Sequence, residues 1–182
     1  MNSGEHPAER DPFRHEVRYS IVTHSKSANR LHIYLNDHLA GSVAALELLD
    51  HLVKRHEKNP LEMFLRDLRT EISADQETLR TLIRKLGAEE SSVRKAGAWI
   101  AQKIGKTKIG PANADDRFGL LQALEALALG ISGKKLLWRL LGTIASHVAE
   151  LEGTDFHRLE MRAEEQITRV EAERLRTALQ IF

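Results

Sequence analysis

Apolar side chains recur along this chain at helical spacing in four long stretches, and almost nowhere with the alternation of a strand. The first stretch, residues 29–58, sets Leu31, Tyr34, Leu35, Leu39, Ser42, Ala45, Leu46, Leu49, Leu52 and Val53 on one broad face. Asn59-Pro60 ends it, because a residue before proline resists the helical conformation while proline itself suits a first helical turn. The second stretch, 61–86, aligns Leu61, Phe64, Leu65, Leu68, Ile72, Leu79, Leu82, Ile83 and Leu86, and Gly87 supplies its stop. So short a connection predicts an antiparallel hairpin.

The third stretch, 115–148, is apolar on nearly every side and is therefore expected to be buried by other helices. At about 100° per residue, Glu125 falls on the line of Phe118, Leu121, Leu129, Ser132 and Leu136, which predicts a carboxylate carried into the core. Such a group costs several kcal/mol unless a proton, a cation, an arginine or a metal compensates it. Two glycines lower helical stability around 130–133, where a bend is expected, and Gly142, Ala145 and Ser146 leave room for another helix. Gly153-Thr154-Asp155 forms a turn and an N-cap. The last helix runs to about Gln180 with a narrower stripe of Phe156, Leu159, Ala163, Ile167, Val170, Ala178 and Ile181; Glu160, Glu164 and Glu171 flank it, and Arg174 lies in its middle.

Residues 88–114 differ from these helices. Ser91 is placed to cap a short amphipathic helix with Val93, Ala96, Trp99, Ile100 and Ile104, and Arg94, Lys95, Lys103, Lys106 and Lys108 make the segment basic. Adjacent antiparallel helices need far fewer residues, so this segment is expected to cross over along the length of a bundle. Residues 1–27, polar and broken by Pro7 and Pro12, read as a solvated tail ahead of a single domain at 28–182. Helices joined short, long, short predict an all-α four-helix bundle whose second and third helices run the same way.

Composition changes this picture little. The 182 residues are 42% hydrophobic, enough for one substantial core. Lys plus Arg (27) nearly cancel Asp plus Glu (26), so the overall charge gives no reason to expect nucleic acid or an acidic partner. Cysteine is absent, which excludes disulfides and thiolate metal sites. The longest apolar run, 120–129, is interrupted by Gln122 and Glu125, so no membrane span is expected. The start shows no basic end followed by an apolar run, and the default expectation is a soluble cytoplasmic protein.

The candidate chemistry is acidic. Asp75 sits inside the stripe of the second helix, one turn after Glu71, and His38 projects into the apolar face of the first, whereas Glu47 lies nearly opposite that face. With the first helix up, the next two down and the last up, a rise of about 1.5 Å per residue brings Glu71, Asp75, Glu125 and the Glu164 to Glu171 region to one height. On Tyr34-Leu35-Asn36-Asp37-His38-Leu39-Ala40-Gly41, Leu124-Glu125-Ala126-Leu127-Ala128-Leu129-Gly130 and Arg162-Ala163-Glu164-Glu165-Gln166, the chain resembles the ferritin-like superfamily, specifically its small bacterial members, over residues 28–182. The resemblance implies a ferritin-like bundle whose interior can hold two iron or manganese ions, used to oxidise ferrous iron, reduce peroxide or activate oxygen.

That family draws a Glu from each of two helices and Glu-x-x-His from each of the others. Here Glu71 is followed by Ala74 and Glu164 by Ile167 where the histidines belong. Three alternatives stay open: a buried network of Arg174 with Glu171, Glu125 or Asp75 that takes in His38; an altered single-metal site; and a di-metal centre on Glu71, Asp75, Glu125, Glu164 and Glu171. The first makes the protein a non-catalytic or vestigial bundle acting through assembly, expected as a homo-oligomer (dimer), or through a protein partner. The others make it an iron- or manganese-dependent oxidoreductase or metal-binding stress protein. A third class is a stress-associated binder of nucleic acid or membrane through residues 94–108. Trp138 is placed either at an oligomer interface or buried under the crossover.

Overall fold

The structure, a computed structural model, describes residues 13–88 and 116–182, with side chains at 26–88 and 117–182. Its secondary structure is helical throughout: α1 (Phe13–Arg55), α2 (Pro60–Lys85), α3 (Asp116–Ile144) and α4 (Phe156–Ala178), with 3-10 turns at Ala145–His147 and Ala149–Leu151 between the last two. No strand occurs among the described residues.

Local chemistry sets the helix ends. The Asn59 carboxamide accepts from the Leu61 N–H at 3.0 Å, Pro60 opens α2, and Glu62 in its first turn with Arg84 and Lys85 in its last complement the helix dipole. Asp155 caps α4 by accepting from the Arg158 N–H at 2.9 Å. Gly87 and Gly153 take positive φ after α2 and before α4, a conformation that glycine adopts without steric cost.

The pairing of side chains fixes the helix directions. Residues 56–59 fold α2 back on α1, and the His32 imidazole meets the Leu86 carbonyl at 3.1 Å. Lys135 bonds Glu164 at 2.6 Å and Arg139 bonds Glu160 at 2.8 Å, a descending register that makes α3 and α4 antiparallel. Asp75 meets Arg162 while Glu71 meets Arg169, so α2 and α4 are antiparallel as well. It follows that α2 and α3 run parallel. Two hairpins, α1–α2 and α3–α4, enclose one core in which Leu35, Leu49, Leu65, Leu82, Leu124, Leu127, Leu141 and Val170 are fully or almost fully buried. Each such leucine contributes about 1.5–3 kcal/mol of transfer free energy. At Gly142 an added Cβ would stand 3.2 Å from the Phe156 Cβ, so the second hairpin closes tightly there.

One expectation about organisation is corrected. Helix α1 covers Phe13–Arg55, so residues 13–27, expected as part of a tail, are helical. A helix once nucleated gains one hydrogen bond per added residue, and upstream turns therefore need no apolar face of their own. Helix α3 runs as one unbroken element through Gly130 and Gly133. The expected crossover, with Trp99 and its lysines, lies outside the described residues. No helix among those described is long and apolar enough to cross a membrane.

Candidate functional site

Asp75, 2% exposed, is the acid that the fold carries into the interior. Its position in the stripe between Ile72 and Leu79 dictates this: a helix that buries those two residues also buries the residue three after one and four before the other. Lys134 of α3 bonds one carboxylate oxygen of Asp75 and Arg162 of α4 bonds the other. Gln166, fully buried, orients the set: its Oε1 accepts from Lys134 Nζ at 2.5 Å, and its Nε2 donates to Glu71 at 3.0 Å and, more weakly, to Asp75 at 3.5 Å. Arg169 bonds Glu71 at the outer edge. Three helices thus contribute to one chain of charge-assisted hydrogen bonds.

Burial dominates the titration of Lys134, whose ammonium pKa lies below its ordinary value; the charge and hydrogen bond of Asp75 oppose that shift, and Arg162 adds to it. A buried ion pair of this kind returns its desolvation cost only when its remaining lone pairs and protons are also bonded, a requirement that Gln166 and Arg162 help to meet.

The residues singled out in the sequence do not gather here as a set. Glu71 and Asp75 do, one turn apart on α2. Glu125, expected in the core, is exposed on the outer face of α3, about two and a half turns or roughly 13 Å from Lys134. Glu164 is exposed and pairs with Lys135. Arg174, expected in the core stripe, lies half-exposed; of its expected acids it bonds Glu171 of its own helix at 2.7 and 2.8 Å and feels the charge of Glu125, but it does not reach Asp75. His38 is half-buried, edge-on to Tyr34 with ring centroids 4.6 Å apart, and belongs to no acid network; burial lowers its pKa, and Asp37 partly opposes that shift. Trp138 is buried within the chain. Glu47 is exposed, as its position opposite the apolar face requires.

Sequence reasoning missed Lys134 and Gln166 as partners of Asp75. Their signal was present: Lys134 stands three residues after Ile131 and four before Trp138, and Gln166 falls between Ala163 and Val170, so each is a polar residue at a core position.

The metals implied by the ferritin-like resemblance can be tested against this geometry. A di-metal centre needs carboxylate oxygens free to bind cations, yet both oxygens of Asp75 face cationic nitrogens. No group of three or more His, Asp or Glu side chains among the described residues converges as a metal-ligand set. An added cation at Asp75 would stand against Lys134 and Arg162, so these residues do not fit the family's iron or manganese.

The outer surface carries a second feature. Phe118, Leu129, Leu136 and Leu140 are exposed along one line of α3, and Met161, Leu175 and Leu179 along or just beyond α4. Between these lines run the Lys135–Glu164 and Arg139–Glu160 pairs. No family model, no curated protein and no solved structure matches the chain.

Proposed function

We propose that this chain is a ferritin-like bundle that works without a metal centre and acts by assembly, pairing with a second copy of itself through the outer face of α3 and α4. The apolar line on α3 carries this proposal. It is nearly self-complementary: in an antiparallel pairing centred between Ser132 and Gly133, Leu129 meets the partner's Leu136, and Glu125 approaches the partner's Arg139 and Leu140. Two adjacent helices, each about 10 Å wide and about 40 Å long, offer roughly 800 Å², which is what one partner contributes to a standard stable interface. Parallel α2 and α3 joined by a long connection support the ferritin-like assignment, and the cations on Asp75 support a centre maintained by protein charges.

Light scattering or sedimentation equilibrium of the full chain tests the assembly. A mass of twice 20.6 kDa is expected for the wild type, with the single-chain mass for Leu129→Glu/Leu136→Glu and no change for Met63→Glu on the other hairpin. A wild type that stays single-chain at micromolar concentration would falsify the pairing. The metal-free reading has its own test, metal analysis of protein from metal-replete cells. Near-stoichiometric iron or manganese, lost in Asp75→Ala, would favour the oxidoreductase alternative.

A further inference from the structure

A cavity of about 300 Å³ lies where α1, α2 and α3 meet, and Asp75 and Lys134 are part of its wall. It opens to solvent on one side, where Asp37, Gly41 and Gly130 of its wall are exposed. It is wide because Gly41 on α1 and Gly130 and Gly133 on α3 line it without side chains; a Cβ added at Gly41 or Gly130 would meet nothing within 4 Å. Most of the remaining wall is hydrocarbon from Ile72, Leu79, Ile131 and Leu137. A cavity of roughly 150 Å³ holds one benzene ring, so this volume suits two fused rings or a chain of about ten carbons.

Two features of the wall ask for an acceptor. Lys134 spends two of its three ammonium protons on Asp75 and Gln166 and keeps one. Trp138, which also lines the cavity, has a buried indole N–H with no hydrogen-bond partner among the described residues. Charge at the inner wall points the same way: Lys134, on the wall, and Arg162, behind it, together face the single carboxylate of Asp75, while Arg169 balances Glu71 at the outer edge. Gln76 and Ser42, the other polar pair on the wall, bond each other at 2.9 Å, and Ser42 donates to the Leu39 carbonyl at 2.7 Å, so they are not the anchor. Asp37 on the wall is exposed to solvent.

We propose that this cavity binds a small monocarboxylate with an apolar body, its carboxylate on Lys134 and its hydrocarbon among Ile72, Leu79, Ile131 and Leu137. The second cation on Asp75 leaves Lys134 able to take an anion, its lone ammonium proton fixes the head, and the glycines make room for the body. A neutral analogue of the same shape gains the burial but loses the charge.

Titration calorimetry of the full chain with 2-naphthoate and decanoate tests this, together with the indole N–H resonances of ¹⁵N-labelled protein, assigned with Trp138→Phe. Saturable binding of at least one acid is expected, with a shift of the Trp138 signal. Affinity should fall about tenfold or more for 2-naphthalenemethanol and for Lys134→Met. Gly41→Phe, which fills the cavity and leaves the ion network in place, should abolish binding while the far-ultraviolet circular dichroism is retained. Neither acid producing heat or a shift overturns the proposal. So does binding that survives Gly41→Phe, or an alcohol that binds as tightly as the acid.

Discussion

The two hairpins share a core but present opposite outer surfaces. Among the described side chains of α1–α2 the large apolar residues left in water are Ile33 and Met63, and the outer face carries charged pairs such as Asp50–Arg69 and Glu62–Arg66. On α3–α4, Phe118, Leu129, Leu136, Leu140, Met161, Leu175 and Leu179 are exposed. A helix with one apolar face tells its neighbours which way to turn. One with two leaves the choice to the rest of the fold. In α3 that choice was made by the line through Leu120, Leu124, Leu127, Ile131, Trp138 and Leu141, which is buried, and Phe118, Glu125, Leu129 and Leu136 of the other line were left outside, although its Leu121 is buried.

The sharpest way to break this arrangement is at the contact between the hairpins. Asp75→Leu leaves Lys134 and Arg162 facing one another without their acid, and a loss of about 3–5 kcal/mol is expected in urea unfolding. The double variant Asp75→Leu/Lys134→Met should recover most of that loss, since an apolar replacement for a buried pair is often neutral. If the double variant were no more stable than the single one, the network would be doing something other than balancing charge.

The glycines distinguish the hairpins at the next level. Gly142→Val pushes into Phe156 and should cost about 1–3 kcal/mol. Gly41→Ala meets open space and should stabilise by about 0.5–1 kcal/mol through helix propensity alone. Thermal and urea unfolding of both would show whether the second hairpin is the tighter one.

The smallest effect is expected at His38, whose Cε1 lies 4.0 Å from the position of a Cβ at Gly133, where α1 faces α3. Its folded pKa lies below the ordinary 6.5 because of burial. Between those two values the unfolded chain holds a proton that the folded chain does not. Stability is therefore complete above about pH 6.5 and declines as the pH falls toward the folded value. Unfolding midpoints for wild type and His38→Gln over that window should converge at the acid end; parallel curves would remove His38 as a contributor.

Much of the first hairpin was legible in the sequence. The stripe of Leu35, Leu39, Leu49, Leu52, Leu65, Leu68, Ile72, Leu79 and Leu82 is the stripe that is buried, and Asn59-Pro60 marks the turn. One-sided helices announce their cores by periodicity alone. Asp75 was legible for the same reason. Of its partners, Lys134 and Gln166 were marked only by their core positions, and Arg162 was not marked at all, because an arginine near an apolar run reads as a solvated residue until the packing of three helices brings its nitrogen to a carboxylate. The acid was visible along one helix, and its pairing with these groups became visible only across helices.

The parallel course of α2 and α3 has a kinetic consequence. Contacts near the turn of each hairpin, such as Asp50–Arg69 and Arg139–Glu160, join residues 19 and 21 positions apart, whereas the bonds of Asp75 and Glu71 to α3 and α4 join residues 59 to 98 positions apart. Local contacts form ahead of those that must first close a long loop. The hairpins are thus expected to form early and to dock late, with Asp75 joining after the rate-limiting barrier. In a chevron plot, Asp75→Asn should steepen the loss of native protein by raising the unfolding rate and leave the refolding rate almost where it was.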